Sequence, residues 1–157
     1  MAQNDKTQGN GEAVRARGHC LCGAIEIEIR GALRDVVVCH CGQCRRQHGA
    51  APSYTAASWS NVTIHGEKNL KWFQSSPEAR RGFCRLCGTS LFWEPMGQGR
   101  VSIAAGCLVK PTGLRTVRHI FVAEKADFDE ITDGLEQLPH SMSAAAASPP
   151  PPTTVDA

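Results

Sequence analysis

Long apolar segments are absent from this sequence, and so is a recognisable export signal. No run reaches the roughly 18 apolar residues that a membrane-spanning helix requires. No N-terminal segment places an apolar core before a small-residue cleavage site. We therefore expect a cytoplasmic protein without a membrane partner. Thiols stay reduced in that compartment, so the eight cysteines are expected to bind metal or take part in catalysis rather than to form disulfides.

The sequence also lacks an excess of charge of either sign. Its 17 Lys and Arg residues are nearly balanced by 15 Asp and Glu residues, which gives a formal net charge of +2. No basic stripe of the kind that contacts nucleic acid is present, so no nucleic-acid partner is expected. Two short basic clusters flank cysteines. We expect Arg80 and Arg81 to be solvated loop charges, whereas Arg45 is open to a solvated or a functional role.

Large apolar side chains are scarce at both ends of the chain. Residues 1–16 are polar, and residues 140–157 are rich in Ala and Pro. Neither segment can bury enough apolar surface to offset the entropy lost on ordering. We therefore predict two disordered tails around one folded domain over residues 17–139.

No long segment repeats apolar residues at helical spacing, and short strand patterns occur instead. Residues 24–29 alternate apolar and charged side chains, which is typical of a half-buried strand. One short helix is predicted over residues 42–48, closed by Gly49. Further strands are predicted over residues 52–59, 62–64, 90–93, 101–108 and 116–124. Residues 36–38 are a short β-branched run that leads into Cys39, residues 70–73 follow the turn at Gly66, residues 79–83 lead into Cys84, and a terminal turn is predicted over 131–135. The pattern indicates an all-β fold with little helix and with cysteines at the turns.

Two paired-thiol motifs stand far apart in the chain, and a glycine follows each of them. Within each motif the two cysteines are only two or three positions apart. Thiolates that close to each other repel unless a cation holds them, and Zn²⁺ takes four such ligands tetrahedrally. The alternative is that either pair is a redox dithiol or a chance pair, but a redox dithiol normally lies in a βαβ context that this sequence lacks. We predict a closed, structural zinc site. Its four ligands are Cys20, Cys22, Cys84 and Cys87.

A second group, Cys39, Cys41 and Cys44, places three thiols within six residues and is predicted to hold a second zinc. A fourth protein ligand would close this site, whereas water or a substrate there would make it catalytic. The candidates for a fourth ligand are His40, His48, His119 and Cys107. We favour an open position, because a lone His in a β domain more often packs than ligates, and Cys107 lies in an apolar run typical of a buried thiol.

Zinc held by three cysteines can bind and deprotonate a thiol or a water, as in nucleotide deaminases. This chemistry favours addition of a thiolate or hydroxide to a small electrophilic carbon, or the reverse reaction. His119 and His40 are candidates for proton transfer, because an unperturbed His titrates near neutral pH.

The three cysteine motifs, in this order, resemble those of the glutathione-dependent formaldehyde-activating enzymes, a family grouped with centromere protein V. The matching stretches are residues 18–23, 39–45 and 83–91, and residues 105–108, 119–122 and 133–135 also look like the family. The resemblance implies a β-tent of short antiparallel sheets stapled by zinc. It implies a structural zinc on the first four cysteines and a catalytic-type zinc on the other three.

The resemblance also implies an activity: condensation of formaldehyde with glutathione to S-(hydroxymethyl)glutathione, a carbon–sulfur lyase reaction in reverse. Arg45 and Arg46 are then candidates to bind the carboxylates of glutathione. Two alternatives stay open, namely zinc-dependent hydrolysis of another small adduct and a non-catalytic, zinc-stapled binding module. The binding module predicts a closed second site and an exposed patch instead of a pocket. Exposed sheet edges would also allow a homodimer.

Overall fold

A computed structural model describes residues 12–141, which form short strands and one short α-helix. The strands are β1 (Val14–His19), β2 (Glu26–Arg30), β3 (Val36–Cys39), β4 (Ser53–Ser58), β5 (Val62–His65), β6 (Leu70–Ser76), β7 (Ala79–Cys84), β8 (Ser90–Pro95), β9 (Arg100–Ala104), β10 (Thr116–Ile120) and β11 (Glu136–Gln137). The helix is α1 (Gly42–His48), and 3₁₀ turns cover Trp59–Asn61, Glu67–Asn69, Ala105–Cys107 and Val122–Glu124. The predicted all-β class is confirmed.

The strands of the described residues form two sheets. The smaller has the order β1-β2-β5, and the larger has the order β11-β10-β3-β4-β9-β8-β7-β6. Most neighbours are antiparallel, as predicted, but β10 runs parallel to both β3 and β11. That parallel pairing was not predicted, because a strand pattern in the sequence does not specify its partner.

The apolar core joins the two sheets. From the smaller sheet and the turn before it, Ile25, Ile27 and Ile29 are at most 1% exposed, while the glutamates between them point outward. They pack in one cluster with side chains of the larger sheet, among them Leu91, Phe92, Val101 and Ile103. Full burial of such a side chain stabilises the fold by about 1.5–3 kcal/mol. The alternation in residues 24–29 therefore predicted the buried side correctly.

Several predicted boundaries differ from the structure. Strand β1 begins at Val14, inside the predicted tail over residues 1–16, because Val14 pairs with Arg30 and Ala16 packs against the core. The strand predicted over 101–108 ends at Ala104, where a 3₁₀ turn begins, and the one predicted over 116–124 ends at Ile120. The remainder of the predicted tails, residues 1–11 and 142–157, lies outside the described residues.

Strand β11 was not predicted, and its two residues pair with β10 just after the expected terminal turn.

Within residues 12–141, no helix is long and apolar enough to cross a membrane.

Candidate metal centres and substrate cavity

The first cysteine cluster lies where the two sheets meet. Cys20 and Cys22 lie in the turn between β1 and β2 of the smaller sheet, and Cys84 and Cys87 lie between β7 and β8 of the larger. The glycine after each pair adopts a positive φ of 74–75°, which closes the turn sharply. The Thr89 hydroxyl accepts from the backbone of one turn and contacts the Cys87 sulfur of the other. A metal ion here would fasten one sheet to the other.

The spacing of the four sulfurs fits a tetrahedral zinc. A Zn–S bond of about 2.3 Å places tetrahedral sulfurs about 3.8 Å apart. The Sγ atoms of Cys20 and Cys22 are 3.6 Å apart, and those of Cys22 and Cys84 are 3.9 Å apart. The Ile25 N–H also donates to the Cys20 sulfur at 3.3 Å, as expected of a backbone group that supports a thiolate ligand.

The second cluster forms where β3 passes into α1. Cys39 ends β3, Cys41 is the extended N-cap residue of α1, and Cys44 lies in the first turn of the helix. The Cys44 N–H donates to the Cys41 sulfur at 3.4 Å, so the thiol takes the place of the usual capping oxygen. Gly49 closes the short helix with a φ of 78°, as predicted.

The three sulfurs of this cluster lie within 4.8 Å of one another. Hydrogen bonds from the Cys39 and Cys44 thiols hold the pKa of Cys41 well below its ordinary value, and the same sharing with Cys41 raises the pKa of Cys39. Thiols that compete for protons in this way make a donor set suited to a cation. Among residues 12–141, no fourth His, Cys, Asp or Glu joins the group at that spacing.

A buried cation lies beside the second cluster. Arg81 of β7 is only 4% exposed, and both of its terminal nitrogens lie 3.8 Å from the Cys44 sulfur. It also donates to the Gln43 side chain at 3.3 Å, and no carboxylate of the described residues pairs with it. A buried guanidinium is costly unless a negative group compensates it. Three thiolates around a divalent cation would carry one net negative charge, which would provide that compensation.

The expectation of solvated loop charges at residues 80 and 81 is therefore wrong. Arg81 is buried against Cys44, and Arg80 pairs with Glu94 while its guanidinium lies 4.1 Å above the Trp72 ring. Adjacent residues of a strand point to opposite sides of its sheet. Residues 79–83 were not predicted as a strand, so the different surroundings of the two arginines were not predicted either.

The second cluster opens into a cavity of about 540 Å³. All three of its cysteines line this cavity, together with three arginines from separate elements: Arg34, Arg81 and Arg100. Burial lowers the pKa of Arg34, and the positive charge of Arg100 lowers it further. The cavity therefore combines a three-sulfur cluster with a concentration of positive charge.

Four predicted candidates for a fourth ligand bind elsewhere. His48 contacts the Tyr54 hydroxyl at 2.8 Å, and the Cys107 thiol donates to the Ser90 carbonyl at 3.7 Å. Burial raises the pKa of Cys107 to about 11, as expected of a packed thiol. His40 and His119 are bonded to each other at 2.9 Å.

His119 and His40 belong to a row of interacting side chains behind the cavity. His119 Nε2 lies 2.9 Å from Asp133, and His40 Nδ1 lies 3.3 Å from Asp129. Both histidines are buried, at 7% and 1% exposure, and neither lines the cavity. The structure thus places these predicted proton-transfer candidates in the wall that supports the cysteines.

Arg45 and Arg46, the predicted carboxylate ligands, do not line the cavity either. The cavity instead uses Arg34, Arg81 and Arg100, and it contains one further group that was not predicted, Glu124. These residues come from four separate parts of the chain. No local motif joins them, so only the fold could bring them together.

Three comparisons agree with these features. The family model for the glutathione-dependent formaldehyde-activating enzyme matches residues 15–124. An uncharacterized lyase of Schizosaccharomyces pombe is 30% identical over 76 residues, which are 48% of this chain and 55% of that protein. The match thus spans about half the length of this curated relative.

A crystal structure of a Rhodobacter sphaeroides protein aligns with a TM-score of 0.51 at 31% identity, covering 60% of this chain and 91% of the other. The family model covers both cysteine clusters and most of the described strands. The chain therefore belongs to the glutathione-dependent formaldehyde-activating enzyme family.

Proposed function

We propose that the protein is a zinc-dependent carbon–sulfur lyase that makes and breaks the adduct of a small aldehyde with a thiol. Formaldehyde and glutathione are the proposed pair, with S-(hydroxymethyl)glutathione as the adduct. One observation carries the proposal: three clustered cysteine sulfurs line a cavity beside arginines, and within residues 12–141 no fourth ligand closes the cluster.

We assign one zinc to each cluster. Cys20, Cys22, Cys84 and Cys87 would surround the first completely, which suits a structural role. Cys39, Cys41 and Cys44 would leave one position of the second free. When bound there, zinc supplies a positive charge that lowers the pKa of a thiol or a water in the cavity.

The arginines of the cavity suit a thiol that carries carboxylates. Arg34 donates to the Tyr54 carbonyl at 3.0 Å and Arg100 donates to Gln98 at 3.0 Å, which fixes both guanidinium groups. Burial first, and repulsion from Arg100 second, lower the pKa of Arg34, and a carboxylate bound between the two arginines would offset that repulsion. Glutathione has two carboxylates, and guanidinium groups bind this group bidentately.

Apolar side chains form much of the remaining wall, including Val37, Trp93 and Ile120. Such a wall limits the water that competes with the thiol for the aldehyde. Arg81 contacts the Cys44 sulfur and also donates to the Gln43 side chain, which helps to fix the guanidinium group. The residues of this chain would therefore bind the substrate carboxylates, orient the sulfur ligands and restrict solvent.

The non-catalytic alternative predicted a closed second site and no pocket. Within the described part of the chain, the cluster has three ligands and opens into the cavity, which favours catalysis. Hydrolysis of another adduct uses the same site, and the substrate panel below distinguishes it.

The test measures how fast formaldehyde forms an adduct with each of a panel of thiols. The rate is determined by NMR exchange and compared with the uncatalysed rate. We expect catalysis with glutathione. Replacing Arg100 with Met should raise KM for glutathione about tenfold or more, because one carboxylate loses a charged partner. The same variant should bind 2-mercaptoethanol, which has no carboxylate, as the wild type does.

The matched control is Arg115→Met, which removes an exposed arginine outside the cavity lining. It should leave both KM values unchanged. A zinc-loaded wild-type protein that fails to accelerate the exchange with any thiol would overturn the lyase proposal. Turnover of an imine or ester in its place would establish the hydrolase alternative.

A further inference from the structure

Proton transfer is a requirement that the proposed reaction places on the cavity. A thiol must lose its proton before its sulfur adds to an aldehyde, and the aldehyde oxygen must gain one. Histidine is the usual group for this role. His40 and His119 are buried behind the cavity wall, and a ring nitrogen of each is hydrogen-bonded to the other residue. Neither is placed to reach a substrate.

Glu124 is the carboxylate that the described residues bring into this cavity. Its Oε2 accepts a hydrogen bond from the Gly42 N–H at 2.8 Å. Gly42 lies between Cys41 and Gln43 at the start of α1, so the carboxylate is adjacent to the three-sulfur cluster. Within residues 12–141, its second oxygen, Oε1, accepts no hydrogen bond and is left for a ligand of the cavity.

The backbone that presents Glu124 is strained. Phe121 has a φ of 55°, and it is the non-glycine residue with a positive φ in the described part of the chain. A bulky side chain rarely adopts that conformation, because it brings Cβ too close to the following carbonyl oxygen. Backbone hydrogen bonds from residues 121, 122 and 123 to residues 140, 138 and 139 hold it in place. The positive φ directly follows the end of β10, and in the 3₁₀ turn after it Glu124 lines the cavity.

Tyr54 is the other hydroxyl or acid group of the cavity large enough to reach a substrate, but burial raises the pKa of its phenol. It is therefore a poor base at neutral pH. A glutamate beside a tri-cysteine site has the composition used for proton transfer in the zinc deaminases. Composition and position together single out Glu124.

We propose that Glu124 is the catalytic acid and base of this site, an inference that rests on the proposed lyase function. Its carboxylate takes the proton from the thiol sulfur. The sulfur electron pair then forms the C–S bond while the C=O π pair moves to oxygen. The carboxylic acid returns the proton to that oxygen, so the adduct forms with no net change at Glu124. Cleavage runs through the same steps in reverse.

The test compares Glu124→Gln with the wild type, because the Gln amide oxygen can still accept from Gly42 but cannot carry the proton. We expect kcat to fall about 100-fold or more. Zinc per chain and Tm should stay at the wild-type values. Glu124→Ala, which leaves space in the cavity, should regain rate as formate is added. Glu136→Gln is the control, since it changes an exposed glutamate on β11.

The outcomes separate the two proposals. An active wild type with an equally active Glu124→Gln protein would overturn this inference alone. A Glu124→Gln protein that loses both activity and zinc, with no formate rescue of Glu124→Ala, would show a structural role and overturn it too. A zinc-loaded wild type without activity on formaldehyde and glutathione would overturn the lyase function and this inference with it.

Discussion

At the residue scale, Arg81 places a buried positive charge beside the second cysteine cluster, and this charge bears on metal binding there. Its side chain is buried, and the groups it contacts are a cysteine sulfur and an amide. A positive charge in this position would offset the net negative charge of a divalent ion on three thiolates. It would also keep the free position attractive to an anionic thiolate. In the proposed function, Arg81 would therefore be a positioning residue for the second cluster.

Replacing Arg81 with Met should weaken zinc binding at the second cluster about 10- to 100-fold, the usual loss when a group that supports a metal ligand is removed. The zinc affinity of Arg81→Lys should lie between those of the wild type and Arg81→Met, because lysine keeps the charge without the planar guanidinium group. Competition with a chelator for the more weakly bound zinc measures the affinity of the second cluster. Arg80→Met is the matched control, since the neighbouring guanidinium contacts Trp72 and Glu94. An Arg81→Met protein with wild-type zinc affinity would disprove the charge argument.

At the residue scale, the sequence predicted the groups that lie close together in the chain. Cys39, Cys41 and Cys44 fall within six residues, so the β3 end and α1 bring their sulfurs together by local geometry. Arg34, Arg100 and Glu124 could not be found this way. Each comes from a different element, and their meeting depends on which strands pair.

At the element scale, the pairing of β3 with β10 supports the second cluster from behind. Ile120 pairs with Cys39, and His40 donates its backbone N–H to the Ile120 carbonyl at 2.9 Å. The His40–His119 contact follows from this register. Burial lowers the pKa of His40, so the ring favours its neutral form and can share one proton with His119.

Replacing His119 with Phe should lower the free energy of unfolding by about 1–3 kcal/mol, because buried His40 loses its partner. Once loaded with zinc, the variant should keep the pH profile of the wild type, since His119 does not line the cavity. Chemical denaturation and pH-rate measurements test the two parts. His65→Phe, at the exposed end of β5, should change neither. Unchanged stability with an altered pH profile would restore His119 as the catalytic group.

The element patterns were predictable where one side of a strand is apolar and the other is polar. That held for residues 24–29, whose isoleucines enter the core. It failed where the backbone turns for a reason absent from the pattern. Phe121 interrupts an apolar run with a positive φ, so the predicted strand over 116–124 ends early and Glu124 reaches the cavity.

At the scale of the whole molecule, the two cysteine clusters lie in different places and have different roles in the proposed function. The first joins the sheets through turns that are distant in sequence, and the second lies in the cavity wall. Metal binding is coupled to folding where ligands come from separate elements. Loss of the first zinc should therefore unfold the domain, whereas loss of the second should spare the fold.

Zinc per chain is the measurement that tests the central claim most directly, on protein purified without added metal or chelator. We predict two zinc ions for the wild type. Cys41→Ala should retain one zinc, keep a cooperative unfolding transition and lose all activity, while Cys107→Ala should retain two. One zinc in the wild type, or a fully active Cys41→Ala protein, would contradict the account.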